Sequence, residues 1–378
     1  MESSFPGDCV RLLQELVRIP SVNPEDHPGT ERTGEEALAQ QLALWLGAWE
    51  VEWRVEEVLP GRPNFLARFP TARPPRQRVA LAPHLDTVGV GGMTVPPFAG
   101  ELRDGKVWGR GASDTKGCLA AMLWALFLEK EGLRKKSTEV WLTAFMGEES
   151  RQPGSRDFAK RYPDFDFALV GEPTECQVVR RHLGCFWGAI SFTGRAAHAS
   201  EPSRGVNAIL KAAEGALRLE REFGPSLARF ADPVLGRPRL NVALIEGGKR
   251  PNIVPDRCEL VIDLRTTPAL HREGAERLLR EWMESVGIDF ERIEERTLAP
   301  PLAVEDSNPW VETLAGLGAE LTHAPWFCDA AHLAEAGIPS VAAGPGSIAQ
   351  AHTVDEFLAV EDLEAGVVFY RRFLQALD

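Results

Sequence analysis

Five short segments of this chain put an imidazole or a carboxylate where an apolar run ends. The first is His84-Leu-Asp86, after the run at 78–83. Extended backbone points residues i and i+2 to the same side. His84 could therefore bind a metal while Asp86 holds its ring and fixes its tautomer, or it could be a loop histidine beside a solvated aspartate. Glu148 and Glu149 follow the apolar run at 139–146. Adjacent carboxylates repel unless a cation or a proton separates them, so one could bind metal while the other takes a proton from water. A solvated turn is the alternative. Glu172, in Gly171-Glu-Pro-Thr174, follows a third run, and His352 follows the turn-rich Ala343-Gly-Pro-Gly-Ser347. Asp114 sits in Gly109-Arg-Gly-Ala-Ser-Asp114-Thr-Lys-Gly117, where a loop enters a helix. It could equally be an N-cap. The segment lacks both the dinucleotide fingerprint and the Walker ending. Together the five offer two imidazoles and three or four carboxylates. That set suits two divalent ions about 3.5–4 Å apart that share one carboxylate and a water.

The elements that must position these groups read as α/β. The spacing predicts strands at 78–84, 139–146 and 166–171, with a helix at 117–129 between the first two. That rhythm belongs to a parallel or mixed sheet, and open α/β sheets build their sites at the carboxyl ends of the strands. Helices are expected at 8–17 and 33–46, the second with Thr33 as N-cap for Glu36. After about residue 182 the pattern changes. Alternating strands at 185–193 and 257–264, helices at 206–223 and 271–286, and a hairpin-like turn at Gly247-Gly248 suggest a small α+β domain. It spans 182–297 and is inserted into a first domain of 1–181 and 298–378. The βα rhythm then returns with a strand at 338–343 and a helix at 360–377.

A chain of 378 residues exceeds what one core usually serves. Forty-two basic residues against 55 acidic ones give a net charge of −13, a poor match for nucleic acid or an anionic membrane surface. The N-terminal stretch lacks the basic and apolar regions of a signal peptide. The longest apolar run, at 118–128, is too short to span a bilayer. Six cysteines without a CxxC pair read as reduced thiols, and a cytoplasmic protein is expected.

Taken in order, these motifs resemble the dinuclear zinc amidohydrolases that include acetylornithine deacetylase, succinyl-diaminopimelate desuccinylase and glutamate carboxypeptidase. The resemblance covers nearly the whole chain. It implies a mixed-sheet metallopeptidase catalytic domain with an inserted α+β dimerisation, or lid, domain. By position, it implies that His84 and Glu172 bind one zinc, that Glu149 and His352 bind the other, and that Asp114 bridges them. Asp86 would orient His84. Glu148 would be the general base, moving a proton from a water between the ions toward the departing amine. A cis peptide is implied at Asp114–Thr115. His198, in Gly194-Arg-Ala-Ala-His198, would reach into a partner subunit's site and stabilise the oxyanion. Asn252 and Arg265 would hold the substrate's carboxylate.

Gly171-Glu-Pro-Thr174, Arg204-Gly-Val-Asn-Ala-Ile209, Cys328 and Gly344-Pro-Gly-Ser-Ile348 are most similar to the acetylornithine deacetylase subgroup. His-Leu-Asp replaces the common His-Thr-Asp, and Cys328-Asp-Ala-Ala331 follows that subgroup's Cys-Thr-Glu-Ala only loosely. The resemblance thus implies a homodimer that hydrolyses a small N-acyl amino acid, N-acetylornithine first. Succinyl-diaminopimelate, another N-acetyl amino acid such as acetylcitrulline, or a dipeptide remain open as substrates. A non-catalytic binding protein should have lost the base or a ligand, and every such position is filled. Oxygen and imidazole ligands suit zinc, cobalt or manganese.

Overall fold

The structure, a computed structural model, describes residues 5–25 and 27–378. Residues 1–4, the start of the stretch read above for a leader, lie outside them. The chain divides into two compact units, Met1–Arg180 with Val304–Thr322 and Cys328–Asp378, and Arg181–Ala303 with His323–Phe327. The second unit runs on past 297 because Arg292–Ala299 is an edge strand of its sheet.

Four parallel strands form the centre of the first unit: Thr138–Ala144, Gln77–Ala82, Phe167–Val170 and Ser340–Ala342, in that spatial order. They are buried almost throughout, as parallel strands covered on both faces are. An antiparallel hairpin, Glu52–Leu59 and Arg62–Phe69, extends the sheet beside Thr138–Ala144. The fold is therefore mixed α/β. Lys116–Leu133 is the crossover helix between Gln77–Ala82 and Thr138–Ala144, and it packs against Val360–Ala376 and Cys9–Arg18. The buried Lys116 amine donates to the carbonyls of Leu16 and Ile19 at 3.1 and 2.6 Å, satisfying the end of Cys9–Arg18. Asp8 caps the other end of that helix, accepting from the Arg11 amide at 2.7 Å. Thr33 does not cap the second helix, which is Glu36–Leu46; Thr33 is drawn into a bridge with Val22 instead.

The second unit is a four-stranded antiparallel sheet in the order Arg239–Gly247, Arg257–Thr266, Gly184–Thr193, Arg292–Ala299. Alternation puts Phe186, Ile190, Phe192, Leu260, Ile262 and Leu264 into one core, against the helices Ala208–Arg218 and Ala275–Ser285. The helix expected at 271–286 is two helices, Pro268–Glu273 and Ala275–Ser285, because Gly274 takes φ 83° between them. The helix expected at 206–223 is Ala208–Arg218 followed by a wider turn at Leu219–Phe223.

Candidate metal centre

Each central strand of the first unit ends at the same edge of the sheet, and each delivers part of one cluster. His84 stands two residues past Gln77–Ala82, Glu148 and Glu149 follow Thr138–Ala144, Glu172 follows Phe167–Val170, and the loop beyond Ser340–Ala342 carries His352. Asp114 joins them from the entry of Lys116–Leu133. The ligand atoms form three groups within 4.8 Å: His84, Asp114 and Glu172; Asp114, Glu149 and His352; and His84, Glu148 and Glu149.

Asp114 is the centre of this geometry. Its Oδ1 lies 3.1 Å from His84 Nε2, and its Oδ2 lies 3.3 Å from His352 Nε2. His352 Nε2 is also 3.2 Å from Glu149 Oε2. The two rings thus face opposite oxygens of one carboxylate. The Asp114–Thr115 peptide is cis, as the resemblance implies.

The electrostatics of the cluster call for cations. Burial, and next Glu172, push the Glu148 carboxyl well above its ordinary range; burial, and next Asp114, do the same to Glu172. Burial disfavours a charged His84, yet hydrogen bonds with Asp114 and Asp86 raise it well above the usual imidazole value. His352 is raised to about 11 by Asp114 and Glu149. Among the described residues Glu149 Oε1 and Glu172 Oε1 are buried without a hydrogen-bond partner, and buried acceptors of this kind are costly unless an ion or a water meets them. Four carboxylates, two imidazoles and two orphaned oxygens fit a pair of divalent ions.

Asp86 serves both His84 and the di-glutamate turn. His84 Nδ1 lies 2.9 Å from the Asp86 carbonyl oxygen and 3.5 Å from its carboxylate. The carboxylate also accepts from the amides of Glu148 and Glu149 at 2.9 and 3.1 Å, and from Asn23 Nδ2 at 2.7 Å. Backbone carbonyl and carboxylate of one residue thus face the ring, and the same carboxylate holds the di-glutamate turn.

Three supporting residues escaped the sequence reading. Glu356, fully buried, accepts from Arg110 Nη1 at 2.7 Å and from the amides of Gly111, Ser113 and Asp114 at 2.9–3.0 Å. It ties the His352 loop to the Asp114 loop. Its signal was an acidic residue closing the His352 segment and an arginine inside Gly109-Arg-Gly111. Gln152 donates to Glu148 Oε1 at 2.7 Å. Asp329, pushed up to about 7 by burial, accepts from Ser155 Oγ at 2.5 Å.

In the second unit His198 and Asn252 come together. His198 bridges Ile253, and the Ala199 amide donates to the Asn252 carbonyl at 3.0 Å. Both residues are exposed. Arg265 is not beside them. Its guanidinium is held by Asp263 at 3.0–3.1 Å and lies over the Phe327 ring.

Residues 80–376 match the family described as Peptidase family M20/M25/M40. The chain belongs to that family. It is a metal-dependent hydrolase. The chain is similar to an acetylornithine deacetylase of Proteus mirabilis, 30% identical over 366 residues, covering 94% of this chain and 93% of that one. It is similar to another of Vibrio cholerae serotype O1, 28% identical over 375 residues and 97% of both. The fold is shared with a metallo-carboxypeptidase from Sulfolobus solfataricus, at TM-score 0.78 and 18% identity over 98% of this chain and 99% of that one. Among the described residues no helix is long and apolar enough to cross a membrane.

Proposed function

We propose that this hydrolase cleaves the amide bond of a small N-acyl-L-amino acid, N-acetylornithine first, giving ornithine and acetate. The observation that carries the reading is the Asp114 carboxylate with an imidazole at each oxygen, and Glu148 grouped with His84 and Glu149. His84 and Glu172 would hold one divalent ion, Glu149 and His352 the other, with Asp114 shared. Zinc suits these ligands best, and cobalt or manganese also fit. Such a pair would supply Lewis-acid polarisation of the scissile carbonyl and of the attacking water. Glu148 takes the proton from that water and returns it to the departing amine. His198 stabilises the developing oxyanion.

Arg265 and Asn252 would hold the α-carboxylate, and their separation supports a homodimer. Arg257 pairs with Thr193 and Arg265 with Cys185. His198 and Asn252 therefore lie beyond one end of a strand whose other end carries Arg265, eight residues on and roughly 26 Å away at ~3.3 Å per residue. One carboxylate cannot span that within a single second unit. A partner copy would supply His198 and Asn252. The edge strand Arg239–Gly247 is exposed along most of its length, with Leu244 at 52% and Ile245 at 47%, and Leu210 on Ala208–Arg218 reaches 67%. Such an edge with apolar side chains suits pairing with a second copy. All six cysteines are thiols outside any disulfide and five are buried, which suits a reducing compartment, and we place the enzyme in the cytoplasm.

The test is kcat/KM with zinc, cobalt and manganese across N-acetylornithine, N-acetylcitrulline, N-acetylmethionine, N-succinyl-diaminopimelate and a dipeptide. N-acetylornithine should be fastest, and chelation should abolish turnover. A tenfold lead for the succinyl compound, about 1.4 kcal/mol of transition-state preference, would overturn the substrate while leaving the two-ion site standing.

A further inference from the structure

We infer that Gln152 is a positioning residue for Glu148, fixing the carboxylate that moves the proton; the inference rests on Glu148 being the base. Glu148 is held at both ends. Its amide donates to Asp86 Oδ1 at 2.9 Å, and its Oε1 accepts from Gln152 Nε2 at 2.7 Å. An amide nitrogen donates and cannot accept. It therefore occupies one direction at Oε1 and leaves Oε2 for the proton. Being neutral, it restrains the base without forming an ion pair with it, as lysine or arginine at 152 would.

The turn that carries Gln152 is built for this. Gln152 is 1% exposed, and its backbone takes φ 54°, after Arg151 at φ 59°. Two successive left-handed residues other than glycine persist only where their surroundings impose them. The surroundings here are specific. The Gln152 amide donates to the Gly147 carbonyl at 3.0 Å. Asn64 accepts from the Met146 amide at 2.9 Å and donates to the Gly154 carbonyl at 2.9 Å, bracketing the turn on both sides. A Cβ on Gly154 would stand 2.6 Å from Asn64 Oδ1, so the helix Pro153–Arg161 can begin only with glycine there. Left-handed backbone at Gln152 aims the side chain back over the di-glutamate turn rather than into solvent. Proton transfer requires the base at hydrogen-bond distance from its partner, and a fixed carboxylate raises kcat without tightening substrate binding.

Two variants of the ion-loaded enzyme test this. Gln152→Met keeps length and left-handed strain but loses the donor. Gln152→Gly loses the side chain and relieves the strain. The measurements are kcat, KM, bound ions per chain and Tm, on the panel compound that the parent enzyme cleaves fastest, N-acetylornithine being expected. Both variants should lose about tenfold or more in kcat, with KM within about twofold and ion content unchanged. Either variant within twofold of the parent kcat, or a loss that tracks ion loss, overturns the inference. Glu148→Gln is measured in parallel. If it retains activity, the base assignment itself fails. If it is inactive while the Gln152 variants are not, only the positioning role fails.

Discussion

Glu148 and Glu149 are neighbours in sequence with opposite assignments, and the amides of both are held by one carboxylate, Asp86. Glu149 Oε2 faces His352, whereas Glu148 Oε1 faces an amide. Substitution should therefore separate them. Glu148→Gln keeps the shape and removes the proton acceptor. It should lower kcat about 100-fold or more, within the range of a positioned base, while ion content by elemental analysis stays near that of the parent. Glu149→Gln should lower ion content as well as rate. Equal ion loss in both would remove the distinction between base and ligand. These ligands were legible in the sequence because each ends an apolar run. Of their supports only Asp86 was legible, through its spacing from His84. Asn23 and Gln152 mean nothing together until the fold brings their segments to one edge of the sheet.

At the scale of elements, Glu356 joins two loops through four donors and carries no solvent exposure. Glu356→Gln turns one acceptor into a donor facing backbone amides. Breaking a buried charge pair on one side costs about 3–5 kcal/mol. Thermal denaturation should show a loss on that scale, and metal titration should show weaker binding at the position that needs both Asp114 and His352. Unchanged titration would confine Glu356 to a stability role. The central strands were legible because strands buried on both faces read as continuous apolar runs. The hairpin Glu52–Leu59 and Arg62–Phe69 was missed. Its first strand is polar and largely exposed, and Pro63 interrupts the second. The break at Gly274 was hidden because apolar spacing continues across it.

For the whole molecule, the trans reading makes a complementation prediction. His198→Ala and Glu148→Gln should each be inactive alone, and mixed dimers should regain activity at one of two sites. An active monomer in sedimentation, or no rescue despite proven subunit exchange, would remove the trans role. Acid stability gives a separate prediction. Burial lowers His182 to about 4 from an ordinary value of 6.5. Between those values the unfolded chain binds the proton and the folded one does not, so stability is intact above about pH 6.5 and declines as pH falls toward 4. His182→Asn keeps a donor near the Leu183 carbonyl, which lies 2.9 Å from Nδ1, and should flatten Tm against pH across that window. A parallel shift at all pH values would refute it.

The order in which the strands supply ligands also bears on biosynthesis. The His84, Asp114 and Glu172 group is complete once residue 172 has been translated, but the Asp114, Glu149 and His352 group waits for the loop after Ser340–Ala342. A ribosome releases these pieces far apart in time, with the whole second unit translated between them. On the proposed assignment, all ligands of one ion are translated before the second unit, whereas the other ion's set is incomplete until His352 has followed it. Loading of the second ion then marks a finished catalytic unit.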